Sequence, residues 1–195
     1  KAMAAAGADL PALLKQITTY IHMAISRVQR MGKPVVVAVN GAAGGGGMSF
    51  ALAGDLVLAA ESAKFTLGYA GIGLSPDGSS TYVLPRLVGL RKTQELMLLN
   101  PVLTAQEALS LGLINRVLPD AELISEAEAL ARRLADGPTR AHGAVKTLLQ
   151  ESFSGTLETQ MERETRVMAD VARSADAQEG VAAFAEKRRP RFTGA

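Results

Sequence analysis

The chain has 195 residues, 48% of them hydrophobic, enough for one main domain with its own core. A formal charge of +2 gives no field that would recommend nucleic acid as a partner, and no run of about 18 uncharged apolar residues suits a membrane span. The absence of Cys excludes disulfides, thiolate metal ligands and a cysteine nucleophile, and is compatible with the cytoplasmic location we expect.

Leu10, Leu13, Leu14, Ile17, Ile21, Ala24, Ile25, Val28 and Met31 fall on one stripe at about 100° per residue. They predict a long amphipathic helix stopped by Gly32. His22 lies on the flank of that stripe, as a packed helix histidine or a pocket residue. Val35 to Val39 reads as a buried strand, broken at Asn40-Gly41 and followed by four consecutive glycines, Gly44 to Gly47. A helix from Gly46 to Ala53 and a strand from Asp55 to Ala60 come next, with Asp55 read as a structural hydrogen-bond acceptor. Lys64-Phe65-Thr66 is a short strand. The loop from Leu67 to Ser79, rich in Gly and Pro, turns sharply and places Tyr69 and Asp77.

Ser79 or Ser80 caps a helix ending near Gly89, and Arg91 to Leu99 forms another. Thr104 to Glu107 is a capping box opening helix 104–110, and Leu113 to Leu118 is a last strand. From Asp120 the pattern is helical: 121–135, 138–152, 156–173 and 177–187. Alternating strands and helices followed by a helical tail predict an α/β fold, with a core over 1–119 and a helical region over 120–195.

Glycine at the head of a helix lets a ligand approach the backbone, and the helix N-terminus offers unpaired N–H donors at the positive end of a dipole. Such a turn suits a bound anion or an oxyanion formed in reaction. No Lys-Ser/Thr pair follows the glycines, which argues against a nucleotide-binding P-loop. His22 and His142 are far apart in sequence and give no metal-ligand spacing, so no metal is expected. His142 itself reads as a surface residue. Asp77, in Ser-Pro-Asp-Gly-Ser-Ser, is either a turn residue or a base.

Four separated motifs, KPVVVAVNG, GGGGMSFALAGD, AESAKF and GIGLSPDGSSTYVLPRLVG, stand in an order that resembles the crotonase, or enoyl-CoA hydratase/isomerase, family. LTAQEALSLGLINRVLP and FAEKRRPRF extend the resemblance to the C-terminus. It implies a spiral of ββα turns, a helical region that builds a homotrimer or a dimer of trimers, and an acyl-CoA thioester as substrate. Family members carry further strands before the Lys-Pro-Val strand, so part of the fold is expected to precede Lys1. Ala6-Gly7-Ala8-Asp9-Leu10 matches the turn after one such strand only superficially, because Lys1 to Ala5 is alanine-rich rather than β-branched.

By motif match, Gly46 is the oxyanion N–H, flanked by Gly45 and Gly47. The family's hydratases carry two glutamates where this chain has Ser49 and Tyr69, which leaves ordinary hydration in doubt. Asp77 matches the carboxylate of isomerase-type members, whose single acid moves a proton between two carbons of an enolate. The resemblance therefore implies an isomerase shifting the double bond of a 3-enoyl-CoA or a ring-acyl-CoA, with Asp77 and Gly46 catalytic and His22, Ser49 and Tyr69 in the pocket. Lys187 and Phe184 of the basic tail would contact CoA, and no cofactor beyond the substrate's coenzyme A is expected. Alternatives are a hydratase-like enzyme, an aryl-CoA dehalogenase with Asp77 as nucleophile and His22 assisting hydrolysis, and a non-catalytic acyl-CoA-binding protein.

Overall fold

The computed structural model describes residues 2–195. The chain forms two compact units, one comprising the chain up to Gln29 together with Val37–Ile124, the other Arg30–Val36 with Ser125–Ala195.

The first unit opens with α1 (Ala2–Ala5), a single 3-10 turn at Gly7–Asp9, and α2 (Leu10–Gln29). Ala6 to Leu10 thus bends between two helices and follows no strand. β1 (Val36–Val39), β2 (Ala42–Gly44) and α3 (Gly46–Leu52) make one strand–strand–helix turn, and β3 (Leu56–Ala60), β4 (Lys64–Thr66) and α4 (Ser80–Leu99) make the next. β5 (Leu103–Thr104), α5 (Ala105–Ser110) and β6 (Arg116–Leu118) follow. Corresponding strands stack: β3 lies between β1 and β6 in one sheet, and β4 between β2 and β5 in the other. β3 runs parallel to β6 with Leu58 opposite Arg116, and β4 runs parallel to β2 with Phe65 opposite Ala43.

β3 is buried along nearly its whole length, as a strand inside a parallel sheet is. β1, expected to be buried over Val35–Val39, instead starts at Val36 and is fully buried only at Val39. Met48, Leu52, Leu58, Phe65 and Leu84 are buried in this core. The capping box forms as read: the Glu107 N–H donates to Thr104 Oγ1 at 3.1 Å, and the Thr104 N–H donates to Glu107 Oε2 at 2.7 Å. The Thr104 N–H, with the Thr104 hydroxyl donating to the same oxygen at 2.8 Å, holds the Glu107 carboxyl below its usual range.

In this unit several expectations need correction. α2 ends at Gln29 rather than Met31, and Gly32 is not a left-handed stop, since it is absent from the positive-φ residues. Of the apolar stripe, Ile25 alone is fully buried, while Ile17 on α2 and Met31 beyond its end are exposed. The last strand covers Arg116–Leu118 only, because Leu113 and Ile114 are buried in the turn before it. The two helices expected on either side of Gly89 are present and meet at that residue, whose φ of 75° interrupts the helical backbone.

The second unit holds α6 (Leu123–Ala135, its first two residues in the first unit), α7 (Thr139–Glu151), α8 (Leu157–Val171) and α9 (Ala175–Ala185). Gly143 of α7 lies against the 30–36 segment so closely that a Cβ there would stand 2.3 Å from the Gly32 carbonyl oxygen. This contact accounts for Gly143, since no side chain fits there. His142 is not the surface residue expected: its ring is half-buried against Gly137, and Nδ1 is buried with no hydrogen-bond partner. Helix α9 starts two residues earlier than expected because Ser174 caps it, accepting from the Ala177 N–H at 3.1 Å.

Candidate active site

The glycine run serves two purposes. Gly44 ends β2 and Gly46 begins α3, with Gly45 between them at φ 53°, ψ −120°, a conformation that excludes side chains. The Gly45 N–H donates to the Thr66 carbonyl at 3.1 Å, tying the turn to β4. Gly46 and Gly47 then occupy the first helical positions, where N–H groups have no intrahelical acceptor. Their approach is lined by Ile21 of α2, whose Cδ1 lies 3.9 Å from the Cβ position of Gly46.

The loop after β4 brings Asp77 to this helix. Gly68 and Gly73 take positive φ, as do Gly78 (60°) and Ser79 (65°) in succession, so the chain reverses immediately after Asp77. Left-handed backbone at the non-glycine Ser79 costs about 1–2 kcal/mol, and such strain persists only where neighbours hold it. Several do. The Ser49 hydroxyl, fully buried on the first turn of α3, donates to the Asp77 carbonyl at 3.1 Å. Ser80 Oγ and the Ser80 N–H donate to the same carbonyl at 2.8 and 3.2 Å. His22 Nε2 accepts the Gly78 N–H at 3.1 Å, which leaves the proton of the neutral ring on Nδ1. The Asp77–Gly78 peptide is thereby held at both its oxygen and its nitrogen.

The Asp77 side chain is held as well. The Tyr69 hydroxyl donates to Asp77 Oδ1 and stands 3.4 Å from Ser49 Oγ. The Tyr69 ring packs on Gly45, with Cζ 3.8 Å from the Cβ position. Burial, helped by the bond to Asp77, pushes the Tyr69 phenol up to about 12, so it stays a neutral donor throughout the ordinary pH range.

Gly45, Gly46, Ser49, Tyr69, Asp77 and His22, all named from sequence, therefore gather at one place, with Gly47 beside them on α3. Phe184 and Lys187 belong to the other unit; Phe184 is 87% exposed and Lys187 takes a left-handed φ of 54°. The basic tail is partly neutralised. Arg188 binds Glu179 through two nitrogens, at 2.6 and 2.9 Å, and also Glu186 at 2.5 Å. The Arg188 bonds to Glu179, with the Arg191 N–H donating to the same carboxylate at 2.8 Å, hold that carboxyl down to about 2. Lys187, Arg189 and Arg191 carry no ion pair among the described residues.

Sequence reasoning missed Asn100. Its Oδ1 accepts the Gly68 N–H at 2.6 Å and the Thr66 hydroxyl at 3.4 Å, anchoring the start of the active loop. Its only sequence signal is an Asn-Pro pair after a helix, where Asn tolerates the left-handed φ of 53°.

Stacked ββα turns carrying a glycine-headed helix beside a carboxylate loop define a crotonase-type α/β fold. The family model for enoyl-CoA hydratase/isomerase matches residues 3–195, and the chain belongs to that family. It is 40% identical over 184 residues to the 1,2-epoxyphenylacetyl-CoA isomerase of Escherichia coli (strain K12), covering 94% of this chain and 70% of that protein. It is 41% identical over 147 residues to 4-chlorobenzoyl coenzyme A dehalogenase-1 of Arthrobacter sp, covering 75% of this chain and 53% of that protein. The crystal structure of an enoyl-CoA hydratase from Polaromonas sp. JS666 superposes with a TM-score of 0.91 at 34% identity, covering 97% of this chain and 74% of that one. The chain thus spans between half and three quarters of the length of these proteins.

Proposed function

We propose that this protein is an acyl-CoA thioester isomerase in which Asp77 shuttles a proton across an enolate. The observation that carries the reading is the position of Asp77. It is the one carboxylate in the hydrogen-bonded cluster at the head of α3, and hydroxyls of Ser49 and Tyr69 stand where the family's hydratases carry glutamates.

One carboxylate is sufficient for this reaction. The Asp77 carboxylate takes a proton from C2 of a 3-enoyl thioester, and the electron pair moves onto the thioester oxygen. The Gly46 N–H at the head of α3 stabilises that oxyanion. The Asp77 carboxylic acid then returns the proton at C4, giving the 2-enoyl ester with no atom gained or lost. Neither a metal nor a redox group is needed for these steps. Ser49, Gly45 and Gly47 shape the turn, and Ile21 and His22 border the acyl chain. Lys187 and Phe184 are the residues we assign to CoA.

The exposed Val145, Leu149, Leu157 and Met168 on α7 and α8 favour self-association, which we read as a homotrimer. Among the described residues no helix is long and apolar enough to cross a membrane, and a cytoplasmic site of action fits the CoA substrate. Conversion of a 3-enoyl-CoA, followed by ultraviolet absorbance and lost in Asp77→Asn, tests the reading. Equal rates in both proteins would remove Asp77 from the mechanism.

The His22–Gly78 bond and the dehalogenase-named relative favour one second reading. There an Asp77 oxygen attacks the halogen-bearing aryl carbon, halide leaves, and water hydrolyses the aryl ester. Release of chloride from 4-chlorobenzoyl-CoA would select it.

A further inference from the structure

We infer that Tyr69 and Ser49 are the positioning residues of Asp77, and that the proton therefore moves through Oδ2. The inference rests on Asp77 being the shuttle proposed above.

The two residues act on different parts of the aspartate. Tyr69 donates to Oδ1, which occupies that oxygen and fixes the rotation of the carboxylate, leaving Oδ2 to react. Ser49 donates to the main-chain carbonyl and fixes the backbone from which the carboxylate projects. A glutamate in either place would set a second negative charge against Asp77 and disfavour ionisation of both. Neutral donors keep a single ionised base and direct it. Tyr69 fits this role because its phenol stays protonated to about pH 12. The titratable side chains bonded to the Asp77–Gly78 segment are Tyr69 from the loop and His22 from α2, the latter through the Gly78 N–H.

Tyr69→Phe keeps the ring against Gly45 and removes only the donor. Loss of a hydrogen bond to a charged group corresponds to a fall in kcat of roughly 10- to 100-fold, with KM within about twofold. A purely structural role for Tyr69 would change KM along with kcat.

A second measurement, on tyrosinate absorbance, is independent of turnover. The share that develops near pH 12 in the wild-type protein should develop at lower pH in Asp77→Asn, where the carboxylate is gone. Two results overturn the inference: an unchanged kcat in Tyr69→Phe, or an unmoved tyrosinate titration in Asp77→Asn. Full isomerase activity in Asp77→Asn would instead remove the shuttle, and the titration would still report whether the Tyr69–Asp77 bond exists.

Discussion

Substitution of Gly78 by Ala tests how tightly the Asp77 loop is held against α3. A Cβ at this position would stand 2.5 Å from Ser49 Cβ, 2.8 Å from Ser49 Oγ and 3.3 Å from Ile25 Cδ1. Ser49 Cβ cannot rotate away, because its place is set by the helix backbone. The left-handed φ of 60° adds about 1–2 kcal/mol for any side chain. Overpacking of this degree adds about 1–3 kcal/mol. The expected loss is therefore about 2–5 kcal/mol, read as a lower urea midpoint at unchanged slope. The double variant Ser49→Gly/Gly78→Ala separates the two contributions. It relieves the contact but not the backbone strain, so the cycle should show a coupling of about 1–3 kcal/mol. A loss below about 1 kcal/mol in Gly78→Ala, or no coupling in the cycle, would refute the packing argument.

The Asn100 anchor is expected to matter for the same loop. Asn100→Ala leaves the Gly68 N–H without its 2.6 Å acceptor and puts Ala at a left-handed φ, for a loss of about 2–5 kcal/mol in urea unfolding. Asn100→Gly loses the same acceptor without the backbone strain and should lose about 1–3 kcal/mol. Glu179 sets an acid limit on the C-terminal tail. Its carboxyl lies near 2 against an ordinary 4.5, so its contribution is complete above pH 4.5 and is lost as pH falls towards 2. Residues 188–193 should therefore lose hydrogen-exchange protection, corrected for intrinsic rates, over that window. At neutral pH, Glu179→Gln should reproduce the loss, and unchanged protection in both would show that Asp176 alone holds the tail. Asp176 Oδ1 and Oδ2 accept the Thr193 and Gly194 N–H groups at 2.7 and 2.8 Å.

What could be read in the sequence was local chemistry. The Val35–Val39 run, the Thr104 capping box and the glycine-headed helix each follow from a few neighbouring residues. β2 was hidden because Ala42–Gly44 has no alternating pattern and becomes a strand only when β4 pairs with it. The residues of the site were named through motif order, but the bonds joining them were not legible. Tyr69 and Asp77 are eight residues apart across a loop, and His22 and Gly78 come from different elements. The tail shows the same limit. A run of basic residues reads as a solvated face, and Arg188 finds Glu179 nine residues back, outside the three- and four-residue spacings that reveal pairs on a helix.

The close approach of Gly32 and Gly143 has a consequence for the timing of synthesis. The 30–36 segment belongs with helices that lie about 110 residues later in the chain. On a ribosome adding about 5–20 residues per second, it waits roughly 5–20 seconds for its partner. The strands from Val37 onward emerge first. The nascent chain can thus pair the strands of the first unit before α7 is available to pack on this short segment.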